Sequence, residues 1–167
     1  LGIYAGRPVI YVTGGSQGAQ AVNRAVIPVL PALLERYEVI HQAGEKNFED
    51  VRLETEALLE GEAKKWYHLA PFLDEERLSA AYALADLVVS RSGATSLYEI
   101  AAWAKPAIVI PLKNSAQDHQ RANAYQYARD GAALVIEEDN LTSSVLAHEI
   151  RTLLDDPGRL ARMAEAA

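Results

Sequence analysis

The chain alternates between short apolar runs and longer segments with helical periodicity. The run from Pro8 to Thr13 is almost entirely apolar, which is typical of a strand buried on both faces of a parallel sheet. Five further runs share this strand-like character, although the run at 65–69 is short and partly polar. The six predicted strands cover residues 8–13, 37–41, 65–69, 86–89, 107–110 and 133–136.

Helical segments separate these strands. Asp74 is well placed to cap one helix, and Pro28 and Pro31 predict that another is kinked or restarted. Strands that alternate with helices predict an α/β fold, a doubly wound six-stranded parallel sheet of the Rossmann-like kind. The predicted helices begin near 19 and cover 46–59, 74–84, 100–104, 118–130, 142–154 and a last short segment opened by Pro157.

Two stretches of small residues follow predicted strands. Gly14–Gly18 comes after the first strand, and Ser90–Glu99 comes after the fourth. Right-handed crossovers place both stretches at the same edge of the sheet. In a doubly wound order the switch point falls between these two strands, and ligands bind there, outside the carboxyl ends. The sequence therefore predicts one crevice formed by both stretches.

The second stretch carries the more informative chemistry. Gly93 allows the backbone to approach a ligand closely, and the helix start offers unpaired N–H groups to an anion. Glu99 suits a neutral diol, such as a ribose, better than a phosphate. Ser96 and Glu99 also match a capping box, in which Glu99 would bond back to the Ser96 N–H and contact no ligand. The local pattern leaves both interpretations open.

The glycine turn and a later polar segment give weaker signals. Gly14–Gly18 lacks the G-x-G-x-x-G spacing and the Walker lysine, and a tight turn capped by Ser16 is an equal alternative. Gln120 and Asn123 share a helix face, where their amides are suited to reading sugar hydroxyls. The alternative is a solvated first turn capped by Asp118, with His119 as a surface or capping residue.

Composition narrows the function classes. The chain has 16 basic and 23 acidic residues, a formal charge of -7, which argues against a nucleic-acid partner but not against one small anion. The chain has no cysteine, which excludes disulfides, thiolate chemistry and Cys-based metal sites. No His/Asp/Glu spacing indicates a metal, and His41, His68 and His148 are predicted to be structural. The apolar runs are too short to cross a bilayer, so the expected compartment is the cytoplasm.

Three motifs, in this order and spacing, give the chain a resemblance to a known family. They are Gly14–Ala19, Ser90–Thr95 followed by Glu99–Ala102, and Asp118–Gln120 followed by Asn123–Ala124. Together they resemble the C-terminal lobe of the MurG family, the bacterial cell-wall N-acetylglucosaminyltransferases that make lipid II from lipid I. The resemblance covers nearly the whole chain, and it departs from the family at Trp103-Ala104, where a small residue and Gly are usual.

The resemblance implies a two-lobed GT-B fold in which residues 1–167 form one domain that holds UDP-N-acetylglucosamine. It implies no metal, cofactor or catalytic residue in this lobe. By position it assigns Ser16 to the diphosphate side with Gln17 as a further substrate-binding residue, the Leu73 backbone to uracil, Ala94, Thr95 and Ser96 to the phosphates and sugar, Glu99 to the ribose, and Gln120, helped by His119, to N-acetylglucosamine.

The resemblance also implies a partner for this lobe. In the family an N-terminal lobe carries the lipid-linked acceptor site and a membrane-facing patch, and no motif here matches it. We therefore expect a longer parent enzyme, peripheral on the cytoplasmic face of the inner membrane, and a lobe that folds alone and binds UDP without transferring the sugar.

Three other functions fit the same motifs. They are a natural single-lobe subunit that acts with a separate membrane-bound partner, a UDP-sugar 2-epimerase on the same fold, and a non-catalytic nucleotide-sugar sensor. The non-Met start favours the lobe of a longer chain over the single-lobe subunit. Asp118-His119-Gln120 favours a MurG-like transferase over an epimerase.

Overall fold

Six parallel strands form one sheet in the order β3-β2-β1-β4-β5-β6. A computed structural model of the chain describes residues 6–14, 20–113 and 119–167. β1 lies at the centre of the sheet, with Tyr11 opposite Ile40 on one side and Val88 on the other. The strands are β1 (Val9–Thr13), β2 (Glu38–Gln42), β3 (Tyr67–Ala70), β4 (Leu87–Arg91), β5 (Ala107–Ile110) and β6 (Ala133–Val135).

Helices cover both faces of the sheet. The break predicted from the two prolines is confirmed, because a 3-10 turn at Ile27–Val29, containing Pro28, separates the first two helices. Further 3-10 turns lie at Gly61–Trp66 and Glu138–Asn140. The helices are α1 (Gln20–Val26), α2 (Leu30–Leu33), α3 (Phe48–Leu58), α4 (Glu75–Leu84), α5 (Ala94–Ala102), α6 (His119–Arg129), α7 (Ser143–Leu154) and α8 (Pro157–Ala166).

The side chains of β1 alternate between two separate hydrophobic cores. Ile10 and Val12 belong to the core that α1, α2 and α7 cover, whereas Val9 and Tyr11 belong to the core beneath α4, α5 and α6. Successive residues of a strand point to opposite faces, so a strand that is apolar at every position is buried on both sides. The doubly wound α/β fold predicted from the sequence is confirmed.

The bounds of β5 are those predicted, and at each end the other observed strands differ from the predicted ones by at most two residues. β4 continues past Val89 to include the polar residues Ser90 and Arg91. Ser90 pairs with Thr13 of β1, and Arg91 pairs with Ile110 of β5, so both belong to the sheet. Among the helices that the structure describes, none is long and apolar enough to cross a membrane.

Candidate functional site

A cleft of about 690 Å³ opens at the carboxyl ends of β1 and β4. This is the position that the strand order designates as the switch point, and residues from both halves of the sheet line it. The predicted site residues that line the cleft are Leu73, Ala94, Thr95, Ser96, Glu99 and Gln120. Two others, Ser16 and Gln17, lie outside the described residues, as do most of the Gly14–Gly18 turn and Asp118.

The start of α5 forms one wall of the cleft. Gly93 is its N-cap residue, with φ -64° and ψ 147°, and the first intrahelical bond runs from the Leu97 N–H to the Gly93 carbonyl at 3.0 Å. The amides of Ala94, Thr95 and Ser96 precede that bond and point out of the helix end. The capping-box interpretation is wrong, because the helix begins two residues before Ser96, and Ser96 therefore is not the N-cap.

Glu99 is held by a tyrosine. Its Oε2 accepts a hydrogen bond of 2.9 Å from the Tyr82 hydroxyl. The Tyr82 ring is 1 % exposed and packs edge-on against Tyr11, with the ring centroids 5.2 Å apart. Burial raises the pKa of Tyr82, so the phenol keeps its proton and donates to the carboxylate. Glu99 is thus a partly buried carboxylate with a defined orientation at the cleft wall.

Leu73 and Phe72 occupy the entrance between β3 and α4. The Leu73 side chain is 1 % exposed and packs in the core, whereas that of Phe72 is 57 % exposed. Both residues line the cleft. At this point of the cleft Phe72 therefore presents far more surface to a ligand than Leu73 does.

The start of α6 places Gln120 in the cleft, but not together with His119 and Asn123, which were predicted to act with it. The Gln120 side-chain oxygen accepts from the Leu112 N–H at 3.2 Å, and its carbonyl accepts from the Ser92 hydroxyl at 2.7 Å. His119 is exposed and does not line the cleft with the other described residues. Asn123 lines a separate groove beside Tyr98, so the structure does not bring the two amides together on one ligand.

Sequence reasoning missed a partly buried ion pair that lines the cleft. Arg91 donates to both carboxylate oxygens of Glu138, at 3.1 and 3.2 Å, and to the carbonyls of Ile110 and Pro111. Burial alone would raise the pKa of Glu138, but the Arg91 guanidinium and the backbone N–H of Lys113 lower it overall. These bonds fix the segments that follow β5 and β6 against the end of β4.

Arg24 is a second residue that the sequence analysis did not select. It is exposed on α1 and lines the cleft. It forms no ion pair with the acidic residues in the described parts of the chain, in contrast to Arg91. In a chain with a formal charge of -7, it gives the cleft a local positive charge.

The histidines have partners that their sequence neighbourhood did not indicate. The Asn23 amide nitrogen donates to the Ala43 carbonyl, so its oxygen accepts from His41 Nε2 at 3.0 Å. His41 Nδ1 then accepts from the Tyr67 hydroxyl at 2.8 Å. Burial lowers the pKa of His41 to about 3.

The two other histidines predicted to be structural, His68 and His148, differ in their surroundings. His68 contacts the buried Glu38 at 2.6 Å, and His148 is exposed. The described residues include no group of three or more His, Cys, Asp or Glu that could hold a metal ion.

A doubly wound sheet with an uncapped helix start and a carboxylate at its switch point is suited to a nucleotide-sugar ligand. The family model described as "Glycosyltransferase family 28 C-terminal domain" matches residues 9–167, and the chain belongs to this family.

Within this family, the chain is similar to relatives that share one enzyme name. The UDP-N-acetylglucosamine--N-acetylmuramyl-(pentapeptide) pyrophosphoryl-undecaprenol N-acetylglucosamine transferase of Anaeromyxobacter sp. (strain K) is 44% identical over 97% of this chain and 41% of its own length. The protein of the same name from Solidesulfovibrio magneticus is 41% identical over 98% of this chain and 45% of its own length. This chain therefore spans less than half of the relatives that it matches.

Solved structures with a similar fold include a member of the same group of enzymes. A crystal structure of Acinetobacter baumannii MurG, a glycosyltransferase, superposes with a TM-score of 0.76 and 29% identity, over 98% of this chain and 46% of that one. A UDP-GlcNAc 2-epimerase from Neisseria meningitidis superposes with a TM-score of 0.67 at 12% identity, over 99% of this chain and 41% of the epimerase chain, and shares the fold alone.

Proposed function

We propose that this domain binds UDP-N-acetylglucosamine as the donor lobe of an inverting N-acetylglucosaminyltransferase, which converts lipid I to lipid II in peptidoglycan synthesis. The observation that carries the proposal is the meeting of two features in one cleft. The open amino end of α5 suits a diphosphate, and Glu99 suits a ribose diol. A nucleoside diphosphate presents both groups within a few ångströms of each other.

The diphosphate lies at the start of α5 in this proposal. The backbone amides of Ala94, Thr95 and Ser96 and the positive end of the helix dipole stabilise its charge. Arg24, which lines the same cleft, adds positive charge, and the diphosphate is also assigned to Ser16, with Gln17 as a further substrate-binding residue. This arrangement neutralises the diphosphate without a metal ion.

The base and the sugar extend to the two ends of the cleft. The uracil lies against the Leu73 backbone, where main-chain groups discriminate its polar edge. Gln120, anchored through its oxygen to the Leu112 N–H, contacts the N-acetylglucosamine, with help from His119. In this proposal the amide nitrogen of Gln120 donates to a sugar oxygen.

The parent enzyme needs a second lobe in this proposal. Its partner is an N-terminal lobe of the same parent chain that binds the lipid-linked acceptor at the cytoplasmic face of the inner membrane. The length of the curated relatives, more than twice that of this chain, supports this arrangement. The acceptor, the catalytic base and the contact with the membrane belong to that lobe.

Calorimetric titration of the protein with UDP, UDP-N-acetylglucosamine and uridine tests the proposal. We expect both diphosphates to bind and uridine to bind far more weakly, because uridine lacks the charge that α5 stabilises. Glu99→Gln should weaken UDP binding roughly ten- to a hundredfold, since charge-assisted bonds contribute about 1.5–3 kcal/mol each at most.

The matched control is Glu165→Gln, which removes the same charge from an exposed position on α8. It should leave UDP affinity unchanged. Absence of UDP binding at millimolar concentration would overturn the proposal. Conversion of the bound sugar to its 2-epimer would favour the epimerase instead.

A further inference from the structure

Tyr82 connects the interior of the protein to the cleft. Its ring lies in the core beneath α4 and contacts Tyr11 of the central strand edge-on, at an angle of 84°. Its hydroxyl reaches across to α5 and donates to Glu99 Oε2 at 2.9 Å. Among the described residues, the hydrogen bond that the Glu99 carboxylate accepts therefore comes from a side chain that is itself immobilised by packing.

We infer that Tyr82 is a positioning residue: its hydroxyl holds the Glu99 carboxylate in the orientation that accepts a ribose diol, and it thereby favours ribonucleotides over 2′-deoxyribonucleotides. This inference rests on the proposed function, because it deepens the role assigned there to Glu99.

The physical argument begins with the freedom of a glutamate side chain. An unanchored Glu at a cleft wall samples several rotamers and loses them when it binds a ligand, which weakens binding. The Tyr82 hydroxyl removes that freedom before the ligand arrives. It occupies one lone pair of a group that has about four acceptor sites, so two ribose hydroxyls still find acceptors.

The selectivity follows from the same geometry. A fixed carboxylate pairs with the 2′- and 3′-hydroxyls together, and a 2′-deoxyribose leaves one of its oxygens without that partner. If the carboxylate were free to turn, it would recover a good bond to the remaining hydroxyl or to water, and the difference between the two nucleotides would shrink. The Tyr82 hydroxyl thus contributes to discrimination as well as to affinity.

Titration of Tyr82→Phe with UDP and with 2′-deoxy-UDP tests the inference. Phe keeps the ring contact with Tyr11 and removes only the hydroxyl. For the unmodified protein we expect UDP to bind about five- to twentyfold more tightly than 2′-deoxy-UDP. Tyr82→Phe should weaken UDP binding about three- to tenfold and 2′-deoxy-UDP less than about twofold, so that the ratio between the two falls.

Two variants isolate the contact. Tyr37→Phe is the matched control, because Tyr37 is also a buried tyrosine but lies outside the cleft, and its hydroxyl has no hydrogen-bond partner among the described residues. It should leave both affinities unchanged. In a Glu99→Gln background, Tyr82→Phe should cause no further loss, since residues that act through one contact are not additive.

The outcomes separate this inference from the proposed function. If the unmodified protein binds UDP but Tyr82→Phe lowers both affinities equally, Tyr82 only supports the fold and the inference is wrong. If the protein does not bind UDP, both the inference and the proposed function are wrong. Glu99→Asp, which shortens the side chain away from Tyr82, should also lower the ratio and tests the inference even if Tyr82→Phe fails to fold.

Discussion

The amino ends of α4 and α5 differ although both helices follow strands at the same edge of the sheet. The first turn of α4 is closed by its own side chain, because Asp74 Oδ1 accepts from the Arg77 N–H at 2.9 Å. α7 and α8 are closed in the same way by Thr142 and Asp156. The N-cap of α5 is instead Gly93, which has no side chain that could accept a hydrogen bond.

The difference separates helix starts that stabilise the fold from one that is suited to a ligand. A capping side chain satisfies one of the amides that the first turn leaves unpaired, and it contributes about 1 kcal/mol to stability. Among the four helices named above, α5 is the one whose N-cap residue lines the cleft, and it lacks that contribution. The amides of its first turn can therefore donate to an acceptor from outside the helix.

Polar side chains show the same contrast. Asn23, His41 and Tyr67 satisfy each other inside the protein, and His41 is completely buried. Tyr82 and Glu99 also form a bond, but one of its partners lies at the cleft wall. The first group is a closed network, whereas the second is open on one side.

Protonation of His41 in the closed network should lower the stability of the fold by the largest amount among these predictions. The folded-state pKa of His41 is about 3, against an ordinary value of 6.5. A histidine with a lowered folded-state pKa contributes stability that is fully present above pH 6.5 and is lost as the pH falls toward 3. We expect the free energy of unfolding to fall by roughly 2 kcal/mol from this residue between pH 7 and pH 5.

Urea denaturation of the unmodified protein and of His41→Gln across this pH range isolates the contribution of His41 to the pH dependence of stability. The variant keeps polar atoms but does not titrate, and the other histidines are present in both proteins. The difference in stability between the two should shrink as the pH falls. Parallel pH profiles would show that His41 is not held neutral in the fold.

Closing the start of α5 should have the next largest effect. A Cβ at position 93 meets no atom within 4 Å, so Gly93→Asp is sterically allowed. Its carboxylate should cap α5, raising stability by a few tenths of a kcal/mol, and should repel a diphosphate from the same amides. We expect UDP affinity to fall at least about tenfold, measured by calorimetry.

Gly93→Ala serves as the control, because it adds the Cβ without an acceptor. It should change UDP affinity less than about threefold. If Gly93→Asp bound UDP as tightly as the unmodified protein does, the diphosphate would have to lie elsewhere, and the contrast between the two kinds of helix start would lose its functional meaning.

Removing a cap from a closed helix start should give the smallest effect. Thr142→Ala takes away the hydroxyl that accepts from the Val145 N–H at 3.2 Å. Stability should fall by about 1 kcal/mol in urea denaturation, with no change in UDP affinity, because α7 is remote from the cleft. A loss of affinity without a loss of stability would contradict the assignment of this cap to folding alone.

Local pattern was sufficient for much of the fold and for the position of the cleft. An apolar run such as Ala107–Ile110 is already a complete strand, and its boundaries are those of β5. β4 was predicted too short because Ser90 and Arg91 are polar residues in a buried strand. Their burial depends on partners that are distant in sequence, such as Glu138. No local pattern reports such a partner.

The site shows the same limit. The position of Glu99 after a strand and a glycine indicates a site residue, but its hydrogen bond to Tyr82 comes from another helix. The sequence shows no partner for His41, because Asn23 and Tyr67 lie on different elements. The capping box failed for a different reason: the helix begins at Ala94, two residues earlier than the motif requires.

The central position of β1 beside β4 joins two halves of the chain along a seam. The Val9 N–H donates to the Asp86 carboxylate across that seam, and these residues are 77 positions apart. The cleft lies over it, lined by Thr13 and Gln42 from the first half and by Glu99 from the second.

A nucleotide bound in this cleft therefore contacts both halves and stabilises their association. At a concentration a hundredfold above its dissociation constant it would add about 2.7 kcal/mol to the free energy of unfolding. Amide hydrogen exchange should slow most along β1 and β4.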